Sequence, residues 1–253
     1  MATFLQEPES EGADDEGVPK LSPITHLTLY ERVYEELRSA IMSARFAPGE
    51  TLTIRGLAQQ LGTSVMPARE ALRRLATEGA IEVLPNRSIR IPLMNRGRLD
   101  EICSIRRLLE GEAASLAAKQ ATAAELAGIE AFNLEFVTQA KLNAVAKMLH
   151  ANQRFHFAIY SAARSPTLLS LIGMLWLQTG PWLMEPLRRT LDRGANKNYI
   201  GVSIAHHQEL IDALAARDSV RAAEAVRADI RDAAAQFRAF VDGANGQAGN
   251  AAG

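Results

Sequence analysis

The sequence predicts a mainly α protein: a small N-terminal unit of helices and one hairpin, then an antiparallel all-helical bundle. Three observations lead there. Alanine is abundant and aromatic residues make up only 6% of the 253 residues, a composition suited to packed helices. Beyond about Gly97 apolar residues recur at helical spacing, with no candidate strand. Before that point the helical spacing gives way once, to the short alternating runs Ile81-Glu82-Val83 and Ser88-Ile89-Arg90-Ile91 around Pro85-Asn86-Arg87.

Residues 1–24 carry Glu7, Glu9, Glu11, Asp14, Asp15 and Glu16 against Lys20, with few apolar side chains. Such a segment cannot bury enough surface to offset its ordering entropy, so a disordered acidic tail is expected. The first folded unit is expected over residues 25–94. Val33, Leu37 and Ile41, four apart, predict a helix over Leu29–Ala44, and Pro48-Gly49 marks a turn. A second helix starts near Thr53 and stops at Gly62, a glycine placed to take the left-handed conformation after a helix end. Ser64 is suited to cap a third helix running to about Gly79. Helix, helix, short turn, helix, hairpin is the order of a winged helix-turn-helix.

The bundle is expected over residues 97–241, as helices Arg98–Lys119, Thr122–Gln139, Leu142–Ala163, Pro166–Thr179, Pro181–Leu191, Tyr199–Ala216 and Ser219–Val241. Ser165-Pro166 offers a capping serine and a proline at the first helical position, and Asp218 caps the last helix. Residues 242–253, rich in Gly, Ala and Asn, are expected to form a flexible tail.

The net charge of −1 hides an uneven distribution: the acidic tail is offset by a small basic excess in each folded part. In the third helix, Ala68, Ala71, Leu72 and Leu75 share one face, while Met66, Arg69, Arg73 and Arg74 fall elsewhere. Such a cluster, following the tight Gly62-Thr63-Ser64 turn and preceding a basic hairpin tip at Arg87, suits a helix that enters the major groove, where arginine pairs bidentately with guanine. Ser64 and the free amides beside it suit a phosphate.

The stretch Ala47-Pro48-Gly49-Glu50, Leu57-Ala58-Gln59-Gln60-Leu61-Gly62-Thr63-Ser64, Pro67-Ala68-Arg69-Glu70-Ala71-Leu72-Arg73-Arg74-Leu75 and Pro85-Asn86-Arg87 resembles the GntR family DNA-binding domain. The resemblance implies DNA contacts from Arg55, Ser64, Val65, Met66, Arg69, Arg73, Asn86 and Arg87. The family commonly has arginine where Val65 stands, so an apolar contact is expected there. It also tends to have glycine near the wing tip where Ser88 stands, so a more constrained wing is expected.

Polar residues also sit inside apolar stripes of the bundle. Arg106 lies among Ile102, Leu109 and Ala113, and a buried arginine needs an anion. Two partners are open: an internal carboxylate such as Glu110, or the carboxylate or phosphate of a ligand. Asn152 and His156, four apart, share a face with Leu149 and Ile159. His207 lies among Ile204 and Ile211, and Asp229 edges the core face of the last helix. Imidazole with carboxylate is a workable set for a divalent transition metal.

The stretches Ile105-Arg106-Arg107-Leu108-Leu109-Glu110, Asn152-Gln153-Arg154-Phe155-His156 and His207-Gln208-Glu209-Leu210 resemble the FadR-type C-terminal ligand-binding domain of the same family, the FCD domain. Many relatives carry one aspartate and three histidines as metal ligands. The resemblance places Asn152, His156, His207 and Asp229 at those positions, to hold Zn, Ni or Mn. It also makes Arg106, Asn152, His156 and His207 candidates for binding a small carboxylate effector.

The sequence thus predicts a homodimeric transcription regulator, a repressor by the family's habit, on a palindromic duplex operator. The alternative weighed is a metal-dependent helical-bundle hydrolase built on His156, His207 and Asp229, but no phosphate loop, nucleophile elbow or Glu-x-x-His motif accompanies them. The lone Cys103 excludes an internal disulfide, and no apolar run approaches the ~20 residues that span a bilayer, so a cytoplasmic protein that makes no membrane contact is expected.

Overall fold

The computed structural model describes residues 29–93, 95–192 and 198–250. The expected acidic tail lies outside them. The N-terminal unit comprises α1 (Leu29–Met42), β1 (Thr51–Leu52), α2 (Ile54–Gln60), α3 (Val65–Thr77), β2 (Glu82–Val83) and β3 (Ile89–Arg90). The Thr53 side chain caps α2 by accepting from the Gly56 amide, and Gly62 takes φ +61° after its end, as a left-handed terminator should. Ala68, Ala71, Leu72 and Leu75 of α3 are buried against α1. Leu75 is wholly buried, so truncating it to alanine would cost ~2–5 kcal/mol.

The hairpin carries one strand more than the sequence predicts. β1 pairs antiparallel with β3, Thr51 opposite Arg90, and β3 pairs with β2, Val83 opposite Ile89. Two residues are too few to show alternation. The pairing is extended by bonds from the Gly49 amide to the Ile91 carbonyl and from the Ile91 amide to the Glu50 carbonyl.

The helical part comprises α4 (Arg96–Gln120), α5 (Ala123–Lys141), α6 (Val145–Ala162), α7 (Pro166–Asp192), α8 (Asn198–Ala215) and α9 (Ser219–Asn250). α4 packs along α9, α5 on α6, and α8 on α9. A reciprocal capping box between Thr122 and Glu125 starts α5, and Asp218 accepts from the Arg221 amide at the start of α9. The main apolar core runs continuously from Leu37 and Leu75 of the N-terminal unit to Phe155 and Phe237 of the bundle.

Two expectations fail here. α7 is one helix of 27 residues and does not break at Gly180-Pro181. An internal proline costs roughly 3 kcal/mol, but packing on both sides of it outweighs that. Trp176 and Leu177 are buried before it, and the Trp182 ring meets Phe237 edge-on after it. Gly180 is no stop signal either: a Cβ there would lie 2.7 Å from the Met42 carbonyl oxygen, so its role is to let α7 approach the end of α1. α9 continues to Asn250, past the Val241 at which the last helix was expected to end.

Candidate nucleic-acid interface and buried polar centre

Arg55 on α2, Ser64, Met66, Arg69 and Arg73 at and along α3, and Asn86 and Arg87 on the wing are all exposed. Several arginines elsewhere in the unit are neutralised: Arg45 binds Glu36 at 2.8 Å, Arg74 binds Glu78 at 3.0 Å and Arg90 binds Glu82 at 2.6 Å. Arg73 is paired too, with Glu70 at 3.2 Å. Arg55, Arg69 and Arg87 have no ion pair among the described residues. An exposed guanidinium with all its donors free is available to a phosphate or a guanine edge.

The local geometry refines the sequence reading. Ser64 occupies the N-cap position of α3, but its side chain makes no capping bond, leaving its hydroxyl and the first amides open. Val65 is half-buried and packs against the apolar core. The left-handed residue at the wing tip is Arg87, at φ +63°, and not Ser88. Ser88 is buried, and its amide (3.0 Å) and hydroxyl (2.5 Å) both donate to Asn86 Oδ1. The serine therefore stiffens the wing through Asn86, whose carbonyl is occupied and whose amide hydrogens remain unused.

A second group of polar residues lies inside the bundle. On α4, Arg106 donates to Glu110 through Nε (2.5 Å) and Nη2 (3.3 Å), and its Nη1 donates to the Thr179 hydroxyl at 3.0 Å. Its guanidinium lies 4.6 Å from the centre of the Trp176 ring. Both members of the pair are buried, and the adjacent Glu110 charge raises the arginine further above its ordinary value. Of the two partners left open by the sequence, the internal carboxylate is the one present. The positive charge of Arg106 is thereby neutralised, which removes the basis for a free anion clamp.

Tyr160 on α6 donates its hydroxyl to Glu110 in a short hydrogen bond, and its oxygen lies 3.2 Å from His156 Nδ1. With the phenol proton committed to Glu110, that contact takes the proton of His156 Nδ1. His207 Nδ1 lies 3.0 Å from Asn133 Oδ1, which can only accept, so this ring too carries its proton on Nδ1. Both Nε2 atoms are left as lone pairs. That of His207 is buried with no partner, and that of His156 lies 3.5 Å from Asp229 Oδ2.

One ligand atom each from His156, His207 and Asp229 lie within 4.8 Å of one another. Burial holds both imidazoles in the neutral form: it lowers His207 to about 3, and lowers His156 well below its ordinary range with help from His207 and Arg106. Asp229, although 17% of its side chain meets solvent, is pushed up to about 6, again by burial. A lone pair facing a carboxylate needs a proton or a cation between them, so these residues fit a divalent metal. Asn152 is buried one turn before His156, but no hydrogen bond of the centre involves it.

Sequence reasoning missed Asn133, Tyr160, Trp176 and Thr179. Tyr160 could have been found, being one helical turn beyond His156 on the same face.

Residues 29–91 match the family model of bacterial regulatory proteins of the gntR family, and residues 101–232 match that of the FCD domain. The chain belongs to the GntR family. Among relatives, the transcriptional regulator McbR of Escherichia coli (strain K12) is 32% identical over 202 residues, which span 79% of this chain and 89% of McbR. The transcriptional repressor GlaR of the same organism is 28% identical over 205 residues, 77% of this chain and 89% of GlaR. The solved structure of E. coli McbR/YncC superposes with a TM-score of 0.78 at 27% identity, covering 85% of this chain and all of that one. This GntR-family chain is therefore a DNA-binding transcription regulator with an N-terminal winged helix-turn-helix and a helical FCD domain. The hydrolase alternative finds no support, since the matched families and relatives are regulators. No described helix is long and apolar enough to cross a membrane.

Proposed function

We propose that the buried centre between α4, α6, α8 and α9 is a ligand site whose occupancy sets the affinity of the DNA-binding face. His156, His207 and Asp229 would hold a divalent transition metal, Zn, Ni or Mn, with Asn152 the weakest candidate ligand. The observation that carries this reading is the pair of histidines whose protonated nitrogens are fixed by Tyr160 and Asn133, leaving two Nε2 lone pairs beside one carboxylate. A metal supplies positive charge that Arg106, paired with Glu110, does not, so a small organic acid remains the effector class favoured.

On the DNA side, Arg69 and Met66 read base edges, while Arg55, Ser64, Asn86 and Arg87 contact the backbone and the adjacent groove. Arg73 serves only if its bond to Glu70 opens, and Val65 contributes through packing. The regulator acts as a homodimer on a palindromic operator in the cytoplasm. Ile105 and Leu108, 39% and 65% exposed on one side of α4, support self-association. Repression is the sense of regulation supported by the name of GlaR.

The test has two arms. An operator is selected from a random duplex pool and its affinity measured by fluorescence anisotropy, with the metal content of the purified protein measured by elemental analysis. About one transition metal per chain is expected, with operator affinity altered by a chelator and restored by zinc or nickel. Protein that carries no transition metal, and whose operator affinity ignores both chelator and added metal, would end the metal reading.

A further inference from the structure

We propose that Gln178 is the positioning residue through which α7 holds the recognition helix, making residues 176–182 of α7 the link between the buried polar centre and the DNA-binding face. The inference rests on the regulatory reading above and names the contact that transmits it.

Within this stretch, α7 contacts both halves of the molecule. Toward the centre, the Trp176 ring lies under Arg106 and 5.5 Å from the His156 ring, and the Thr179 hydroxyl accepts from Arg106. Thr179 also donates to the Leu175 carbonyl at 2.8 Å, which ties the Arg106 contact to the α7 backbone. Toward the DNA-binding unit, Gln178 Nε2 donates to the Glu78 carbonyl at 3.2 Å, just past the last residue of α3. Gly79, next in the chain, takes φ +72°, the left-handed turn that ends α3 beside that amide. Arg98 of α4 holds the other end of the amide, donating to Gln178 Oε1 at 3.4 Å. Gly180 abuts Met42 at the end of α1, and the Trp182 indole donates to the Pro92 carbonyl at 3.1 Å.

Glu78 is the natural handle on α3. Its carboxylate accepts from the Tyr34 hydroxyl at 2.8–2.9 Å and from Arg74 Nε at 3.0 Å, so its side chain fixes the helix end to α1 while its carbonyl is held by α7. A rotation or slide of α7 that follows a change at Trp176 or Thr179 must move Gln178, and with it the end of α3. Coupling between distant sites requires such an element, shared by both and biased by each.

A double-mutant cycle on DNA affinity tests this without knowledge of the effector. Thr179→Val removes the oxygen that accepts from Arg106 at nearly constant volume. Gln178→Met removes the amide at nearly constant length. The expectation for Thr179→Val is a change of at least threefold in affinity for the selected operator, with affinity for an unrelated duplex staying within twofold. In the Gln178→Met background the same substitution should change nothing further. Hydrogen exchange over residues 74–84 should be faster in Gln178→Met than in the wild type, a readout that needs no DNA. The proposal is overturned if Thr179→Val leaves specific binding unchanged, or if the two effects multiply to within about twofold. Were Thr179→Val to melt before it could be assayed, Trp176→Phe takes its place under the same criteria. If no duplex is enriched at all, the DNA-reading assignment falls first and this link with it; enrichment with multiplicative effects refutes the link alone.

Discussion

Replacing Glu110 with leucine should destabilise the protein more than replacing both Glu110 and Arg106. Glu110 is fully buried and Arg106 nearly so, and Arg106 donates two hydrogen bonds to the Glu110 carboxylate. Arginine cannot lose its proton at any working pH, so Glu110→Leu leaves a cation inside the bundle with only the Thr179 hydroxyl and the Trp176 face as partners. Stranding one member of a buried pair costs ~3–5 kcal/mol. At ~2–4 °C per kcal/mol for a chain of this size, the melting temperature should fall by roughly 6–20 °C. Arg106→Met together with Glu110→Leu removes both charges and leaves the Tyr160 hydroxyl without its acceptor, a cost of ~1–3 kcal/mol. Circular dichroism melts and urea titrations of wild type, both single mutants and the double mutant measure these values. If the double mutant is as unstable as the sum of the singles, the stranded charge does not dominate, and the account of Arg106 as an internally satisfied residue is wrong.

Three further outcomes follow from the same geometry. Arg69→Ala should cost ~1–3 kcal/mol in affinity for a selected operator and relax preference at one base; an unchanged selection profile would remove Arg69 from the reading set. Arg87→Gly should act in opposite directions, relieving the positive φ to stabilise the fold by up to about 1 kcal/mol while lowering the slope of log affinity against log salt by about one. A melt that shows no gain would mean the turn carries no strain. In a chelator, stability should decline as pH falls below about 6.5. His156 and His207 take up protons only when unfolded, because their folded values are depressed. Asp229, raised to about 6, binds an extra proton when folded between about 6 and 4 and offsets one of the two. The net difference of one proton gives about 1.4 kcal/mol per pH unit in that window. Urea midpoints against pH should show it, and His207→Phe should flatten it; a flat wild-type profile would contradict the burial of the neutral pair.

The helices were legible because their apolar faces repeat over many turns. The short turn before α3 was legible because Gly62 acts locally; Ser64 marks the helix start by position, though its side chain makes no capping bond. β1 was not, since a strand of two residues has no period and exists only because β3 lies beside it. The false break in α7 shows the limit of local signals. Gly180 and Pro181 read as punctuation along the chain, but the helix continues because Trp176, Leu177 and Trp182 find partners on other helices. The centre was half legible. His156, His207 and Asp229 stood out as polar residues on apolar faces and do converge. Asn133 did not, because a single asparagine on a helix gives no sign that a histidine 74 positions away needs its carbonyl. The choice between Glu110 and a ligand for Arg106 depended on side-chain geometry that helical spacing allows without requiring.

Both tryptophans of the chain lie on α7, six residues apart, in unlike surroundings. Trp176 sits among an imidazole and a guanidinium with its indole nitrogen unpartnered, while Trp182 bonds a carbonyl at the seam with the wing-bearing unit. The protein thus carries two built-in fluorophores, one at each end of the mechanical connection. A compound entering the bundle should perturb emission from the first, and duplex binding that shifts the seam should perturb the second. Replacing either with phenylalanine would separate the two signals without an added dye.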